Sequence, residues 1–181
     1  MVDEQYNITH ILALLGIVAL VVLSGCTAGP LGEPSEQDQP PRVVLNNSAN
    51  ETQTFTVWVV EGEIHPDEIT IYKQDGEIDN ASPREGLSTY HLGGDYGNVT
   101  SVEPPANRSR LLGRYTLAPG EASRSSIENF TVGSTIVISL SESGRVIELT
   151  VANCDEQALV GLEVTSRPDP PGGASASYSC Q

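Results

Sequence analysis

The pattern of apolar and polar side chains beyond residue 41 is that of short β-strands. The segment Thr54–Val60, TFTVWVV, is apolar on both faces, which predicts a central strand with Trp58 buried. Thr135–Ser141 alternates apolar and polar residues, and Ile147–Val151 repeats this alternation after a Ser-Gly pair. We expect these two segments to pair as a hairpin, because a short glycine-containing turn between alternating strands is typical of that motif.

Further segments along the chain also favour strands. Weaker or shorter alternation marks Val160–Val164, Arg42–Asn46, Glu68–Tyr72, Ser88–Leu92 and Arg110–Leu117. No segment after the apolar N-terminal run keeps a helical period over about eleven residues. Seven or eight short strands separated by Gly, Pro, Asn and Ser clusters predict an all-β fold, a single β-sandwich that spans residues 42–166.

One turn in this region carries a family resemblance. The run LAPGE at Leu117–Glu121 resembles a turn of immunoglobulin-like domains in archaeal and bacterial surface proteins, and the hairpin at 135–151 is similar to theirs. The resemblance covers the C-terminal half of the chain. It implies an immunoglobulin-like β-sandwich of seven or eight strands, and it implies no particular activity.

The N-terminal segment predicts export. Residues 11–23 form an uncharged apolar run that fits the core of a secretory signal and is shorter than the roughly 18–20 residues needed to span a bilayer. The sequence LSGC at 23–26 resembles the lipobox of prokaryotic lipoproteins. This resemblance implies that residues 1–25 are a cleaved signal peptide and that Cys26 carries a lipid. The protein would then be anchored at the extracellular face of the cell membrane.

An alternative for the N-terminus stays open. Secretory signals normally start with basic residues, whereas this segment has Asp3 and Glu4 and no Lys or Arg. The alternative is a short uncleaved anchor, in which Cys26 is an ordinary residue. Both interpretations place the rest of the chain outside the cytoplasm. Residues 26–41 then form a proline-rich linker, which reaches about 45 Å at about 3.1 Å per residue in a polyproline II conformation.

The charge balance excludes one class of partner. The chain carries 24 Asp and Glu against 9 Lys and Arg, and Lys73 is its one lysine. Nucleic acid is therefore not expected as a partner, because phosphate binding needs clustered basic residues. An acidic excess with almost no lysine resembles the proteomes of halophilic archaea. Because acids occur throughout the chain, clusters of carboxylates are weak support for catalysis.

The cysteines support the extracellular location. Lipidation of Cys26 leaves Cys154 and Cys180 as an even pair without the spacing of metal ligands. Such a pair in an exported protein is most simply a disulfide. We expect this bridge to pin a C-terminal tail, residues 167–181, to the domain.

Glycosylation sequons are unusually frequent after Cys26. Six of the eight asparagines in this region start an Asn-x-Ser/Thr sequon, far more than chance predicts. Asn before Ser or Thr is also common in β-turns, which gives a structural explanation for part of the excess. Asn80 is excluded from the prediction because Pro83 follows its sequon. The predicted glycosylation sites are Asn46, Asn50, Asn98, Asn107 and Asn129.

No motif indicates catalysis, a cofactor or a metal. The chain lacks the motifs of serine hydrolases, zinc peptidases and P-loop enzymes. A type 1 copper site, as in halocyanins, fails because neither His nor Met follows Cys154 closely and Met1 is the only methionine. The run 75–80, DGEIDN, has oxygen ligands that suit calcium, but a solvated acidic turn explains it as well.

The expected function is therefore binding rather than catalysis. Residues 73–107 are the least periodic part of the domain and are the predicted surface for a protein or envelope partner. A flexible, glycosylated insertion is the alternative interpretation of the same segment. Just beyond this segment, Arg108, Arg110 and Arg114 are expected to neutralise neighbouring carboxylates. The sequence favours a non-enzymatic, membrane-anchored lipoprotein whose β-sandwich binds a partner or supports the envelope. Two alternatives are a solute- or metal-binding accessory of a transport system and a small secreted hydrolase.

Overall fold

The structure is a computed structural model that describes residues 39–93, 98–168 and 173–181. The predicted signal peptide, Cys26 and most of the linker lie outside the described residues. The described part contains twelve strands and no helix. The strands are β1 (Arg42–Asn47), β2 (Gln53–Val60), β3 (Ile69–Lys73), β4 (Ile78–Ala81), β5 (Leu87–His91), β6 (Val99–Glu103), β7 (Ser109–Leu117), β8 (Ala122–Ser126), β9 (Thr135–Glu142), β10 (Arg145–Ala152), β11 (Leu159–Arg167) and β12 (Gly173–Cys180).

The strands form three sheets. A four-stranded sheet has the order β12-β11-β1-β8, and a five-stranded sheet has the order β5-β10-β9-β2-β7. A three-stranded sheet has the order β4-β3-β6. All pairs are antiparallel except β1 and β11, which run parallel. The predicted all-β sandwich is confirmed, with a third sheet that the sequence did not predict.

The five-stranded sheet has an apolar cluster on each face. On one face, Phe55 and Ile138 pack with Leu45 and Leu162 of the four-stranded sheet. On the other face, residues such as Val137 pack with residues of the three-stranded sheet. β2 therefore lies in the middle of the fold, as its apolar sequence predicts, because side chains that alternate along it enter two different cores.

Trp58 differs from its prediction. It was expected to be buried in the core, but it lies on the second face of β2 and is only half-buried. It pairs with Val137 across the β2–β9 ladder and packs against the second cluster. One side of the indole thus contacts the core while another part reaches the surface.

The hairpin of β9 and β10 is confirmed. Ser143 and Gly144 connect the two strands, and their φ angles are 49° and 80°. Two consecutive positive φ values are those of the hairpin turn whose twist matches the strands. A register shift between Val146 and Glu148 marks a bulge in β10.

The LAPGE turn carries the chain from the five-stranded sheet to the four-stranded sheet. Buried Asn47 donates its side-chain amide to the carbonyl of Leu117 at 2.8 Å, and its own carbonyl accepts from the N–H of Gly120 at 2.8 Å. The Glu121 carboxylate accepts from the N–H of Ala118 at 2.7 Å. These hydrogen bonds satisfy polar groups of the turn backbone. They also hold the turn in one position between the five-stranded and the four-stranded sheets.

The C-terminal segment is a strand and not only a tail. The sequence assigned residues 167–181 to a tail, whereas β12 pairs antiparallel with β11 along its whole length. The predicted disulfide is present: Cys154, just after β10, is bonded to Cys180 at the end of β12, with Cα atoms 5.8 Å apart. The bridge therefore joins the five-stranded sheet to the edge strand of the four-stranded sheet.

Candidate functional site

The second face of the five-stranded sheet changes character along β2 and β9. Near Trp58 and Val137 it is apolar and packs with the three-stranded sheet. At the next pair on the same face, Thr56 of β2 lies opposite Ser139 of β9, and at the pair after that Thr54 lies opposite Ser141. The same sheet face thus continues from an apolar core into a row of hydroxyl side chains.

These hydroxyls form the floor of a groove of about 310 Å³. Its walls come from Thr100 and Ser101 of β6, from Arg114 of β7 and from the turn between β9 and β10. Eight of the thirteen lining residues carry a hydroxyl group, and none carries a carboxylate. A groove without Asp or Glu stands out on a chain that has 24 of them.

Three of the four floor side chains, Thr56, Ser139 and Ser141, form no hydrogen bond with another described residue. Thr56 is 7% exposed and Ser139 is 3% exposed, yet neither side chain forms a hydrogen bond with another described residue. By contrast, Thr54 bonds to Thr116 at 3.1 Å, and Thr100 donates to the carbonyl of Tyr72 at 3.1 Å. In the described part of the chain, the polar side-chain atoms that are both fully buried and without a partner are Gln53 Oε1 and Glu148 Oε1. The hydroxyl oxygens of Thr56 and Ser139 therefore reach the open groove, where a bound molecule can form hydrogen bonds with them.

Arg114 is the charged residue of the groove. It lies opposite Thr56 in the β2–β7 ladder, is exposed, and forms no hydrogen bond or ion pair with the described residues. Arg108, in contrast, is bonded to the Glu68 carboxylate and to the carbonyls of Glu61 and Glu63. Arg108 therefore pairs with a carboxylate as expected, and Arg110 donates to the carbonyl of Glu128 at 3.2 Å. Among the described residues, Arg114 has no carboxylate partner.

A second polar feature lies under β12. Glu148 is 3% exposed and faces the four-stranded sheet. Its Oε2 accepts from the N–H of Ala174 at 2.5 Å, and its Oε1 has no partner in the described part of the chain. Burial raises the pKa of Glu148 to about 7, while the Ala174 hydrogen bond and the charge of Arg167 act in the opposite direction.

A wider cleft lies beside the disulfide. It measures about 710 Å³, and Glu63, Asp155 and Glu156 lie along it. Within residues 39–93, 98–168 and 173–181, no three His, Cys, Asp or Glu side chains are grouped so as to hold a metal ion. The cleft therefore has acidic side chains, but among the described residues they are not grouped to coordinate a metal ion.

The family model of halobacterial Ig domain proteins matches residues 8–181. The chain belongs to this family. No curated protein matches the chain, and no solved structure does. The match confirms the immunoglobulin-like fold that the LAPGE turn implies. It also supports the resemblance of the acidic composition to that of haloarchaeal proteins. An immunoglobulin-like domain fits a structural or binding role rather than catalysis.

The predicted glycosylation sites of this halobacterial Ig domain differ in exposure. Asn50, Asn98, Asn107 and Asn129 are exposed, so their amides are accessible. Asn46 lies within β1, and its amide donates to Glu163 at 2.7 Å and to Thr165 at 3.1 Å. An N-linked glycan replaces one of the two amide hydrogens, so modification of Asn46 would remove at least one of these hydrogen bonds. Glycosylation at all five sites stays a prediction.

In the predicted partner surface of the halobacterial Ig domain, residues 73–107, the structure describes 73–93 and 98–107 and places more strands there than the sequence predicts. This region contains β4, β5 and β6, and β6 supplies one wall of the groove. Tyr90 of β5 donates its hydroxyl to the carbonyl of Ser82 at 2.6 Å. In the acidic run 75–80, Lys73 lies 3.4 Å from Glu77 and 3.8 Å from Asp79, so the one lysine offsets part of its charge.

Membrane attachment was predicted through residues that the structure does not describe. Among the described residues of this halobacterial Ig domain, no helix combines the length and the apolar character needed to cross a membrane. The apolar run 11–23 and Cys26 lie outside those residues.

Proposed function

We propose that this halobacterial Ig domain is a non-enzymatic binding module, held by a lipid on Cys26 at the extracellular face of the cell membrane. The lipobox-like sequence at 23–26 and the proline-rich linker support the anchor. The Cys154–Cys180 disulfide supports an oxidising compartment, because disulfides persist outside the cytoplasm. The domain then projects from the membrane and presents its sheets to the envelope.

The observation that carries the binding role is the pair of unpartnered hydroxyls at the groove floor. Thr56 and Ser139 are almost fully buried, they line the groove, and no described residue bonds to their side chains. Their hydroxyl oxygens reach the groove and have no partner among the described residues, so a polar molecule in the groove can form hydrogen bonds with them. The groove over the five-stranded sheet is therefore the proposed binding site for an envelope partner.

The anchor is tested by fractionation of cells that express the full chain. We expect the wild-type protein in membranes, with a mature N-terminus at a lipid-modified Cys26. Cys26→Ser should release the protein from membranes or block its maturation. If the wild-type protein retains Met1, the anchor is a short uncleaved segment and not a lipid on Cys26.

The binding site is tested by photo-crosslinking in native membranes at high salt. A photoreactive residue at Thr100, on the groove wall, should capture an envelope component. The matched control is the same residue at Ser126, which is exposed at the end of β8 on the four-stranded sheet. Equal capture at both positions, or none at Thr100, would contradict the proposed site.

A further inference from the structure

We infer that the groove over the five-stranded sheet binds a saccharide that carries an anionic group, such as a uronic acid carboxylate. The inference names the ligand class of the proposed binding site and rests on that proposal. It follows from four features of the groove: its hydroxyl floor, its single indole and, among the described residues, its unpaired guanidinium and its lack of carboxylates.

The floor recognises ligands through side chains. β2 is paired on both sides, with β7 and with β9, and β9 is also paired on both sides, so their backbone groups are already used. What remains is a set of hydroxyls, and those of Thr56, Ser139 and Ser141 form no hydrogen bond with another described residue. A hydroxyl both donates and accepts hydrogen bonds, and so do the hydroxyls of a sugar. A polyhydroxylated ligand therefore satisfies this floor in either direction.

The indole of Trp58 adds an apolar contact within the same groove. The side chain lines the groove and is held from behind by the second apolar cluster. A sugar ring has a face of C–H groups and a rim of hydroxyls, so an aromatic plane beside a row of hydroxyls matches both parts. The fixed position of Trp58 lowers the entropic cost of that contact.

Arg114 sets the charge of the ligand. Its guanidinium is unpaired among the described residues and lies next to the floor, across from Thr56. Because guanidinium binds carboxylate and sulfate groups with paired hydrogen bonds, it favours an anion over a neutral sugar. The absence of Asp and Glu from the lining removes the repulsion that an anionic ligand meets elsewhere on this surface.

The volume of the groove limits the length of saccharide that it can hold. A volume of about 310 Å³ lies at the lower end of the roughly 300–1,000 Å³ of small-molecule pockets. The groove therefore fits one or two sugar rings of a longer chain. A peptide is the competing occupant, because β6 is an edge strand with a free side.

The intrinsic fluorescence of Trp58 tests this inference, since it is the one tryptophan of the chain. The full chain in detergent is titrated at constant KCl with tetragalacturonate, which has hydroxyls and carboxylates. Maltotetraose supplies hydroxyls without charge, and tetra-L-glutamate supplies carboxylates without sugar hydroxyls. We expect tetragalacturonate to bind about tenfold more tightly than either comparison ligand.

Variants separate the two contributions. Arg114→Gln should remove the preference for tetragalacturonate over maltotetraose, whereas Arg124→Gln, an exposed arginine on the other sheet, should leave it unchanged. The isosteric Thr56→Val with Ser139→Ala should weaken both sugars. Circular dichroism of each variant checks that the fold is retained.

Three results would overturn the inference. These are the absence of a response to tetragalacturonate, an equal loss in Arg114→Gln and Arg124→Gln, and a response to tetra-L-glutamate as strong as that to the sugar. The last result would assign the groove to a peptide. Capture at Thr100 in native membranes with no sugar binding would remove only the ligand class, whereas failure of that capture would remove the proposed site itself.

Discussion

Glu148 holds the first residues of β12 through a hydrogen bond from the N–H of Ala174 to its Oε2, at 2.5 Å. The carboxyl group is buried, and its Oε1 has no partner in the described part of the chain. His91 lies opposite Glu148 in the β5–β10 ladder, and Arg167 lies close enough to favour its charged form. The edge strand therefore packs over an acid whose charged form burial disfavours.

This burial predicts a pH dependence of stability. The pKa of Glu148 rises from 4.5 to about 7 on folding. Between these values the folded state holds a proton that the unfolded state has lost, so stability falls as pH rises from about 4.5 to about 7 and is flat above. The loss is on the order of 3 kcal/mol, at about 1.4 kcal/mol for each pKa unit.

Glu148→Gln should abolish that part of the pH dependence, because the amide keeps an acceptor for Ala174 and does not ionise. Denaturant unfolding at pH 5 and pH 8 measures it: the variant should gain relative to wild type at pH 8 and little at pH 5. Glu156→Gln, at an exposed position, is the control. An equal difference at both pH values would show that Glu148 does not titrate in this range.

Gly173 is predicted to be intolerant of a side chain. A Cβ at this position would lie 2.9 Å from Oε2 of Glu148, whereas a Cβ at Gly161 in β11 would meet nothing closer than 3.5 Å. Oε2 ends a flexible side chain that can shift, at the cost of its hydrogen bond from Ala174. Gly173→Ala should therefore lower the free energy of unfolding by about 1 kcal/mol, and Gly161→Ala should have a smaller effect. Urea titrations of the two variants compare them directly. Equal effects would mean that the contact with Glu148 is not the cause.

The disulfide should stabilise the domain by restricting the unfolded chain. Cys154 and Cys180 close a loop with a sequence separation of 26 residues. Replacing both by Ala should lower the free energy of unfolding by about 3–4 kcal/mol. Reduction of the wild type should give a similar loss. Unchanged unfolding in both cases would show that the pairing of β12 with β11 suffices to hold the C-terminus.

High salt should raise the melting temperature. The chain has 24 acidic against 9 basic residues, and folding brings these charges closer together. The Debye length falls from about 8 Å at 0.15 M salt to about 3 Å at 1 M, which removes most of the repulsion. Thermal melts across a KCl series provide the measurement. A melting temperature that stays constant or falls as KCl rises would show that the acidic surface is not an adaptation to high salt.

Much of the sandwich could be predicted from the sequence because its central strands alternate strongly. All eight predicted segments overlap observed strands, including β2, β9 and β10. β4, β6, β8 and β12 were missed, since their small or polar residues lack an apolar period. In β12 the side chains are mostly Gly, Ala and Ser, and the strand is held by its ladder with β11. Pairing partners far apart in sequence decide such strands.

The groove could not be predicted, for a related reason. The threonines at 54 and 56 look like ordinary strand residues, and only the position of the three-stranded sheet leaves them open while it covers Trp58 in part. Nothing in the sequence distinguishes Arg114, which is unpaired among the described residues, from Arg108, which binds Glu68. The feature that marks the groove is the absence of acidic residues from its described lining. That feature becomes visible only when the register of the strands is known, because the register decides which side chains share a face.

The central claim is that the floor of the groove is a binding surface, and crosslinking yield in native membranes tests it most directly. A photoreactive residue at Thr100 is combined with Thr56→Val and Ser139→Ala, which change the floor but not the shape of the groove. We expect capture of the envelope component to fall severalfold relative to the same chain with the native floor. Capture that is unchanged by the loss of both hydroxyls would contradict the account.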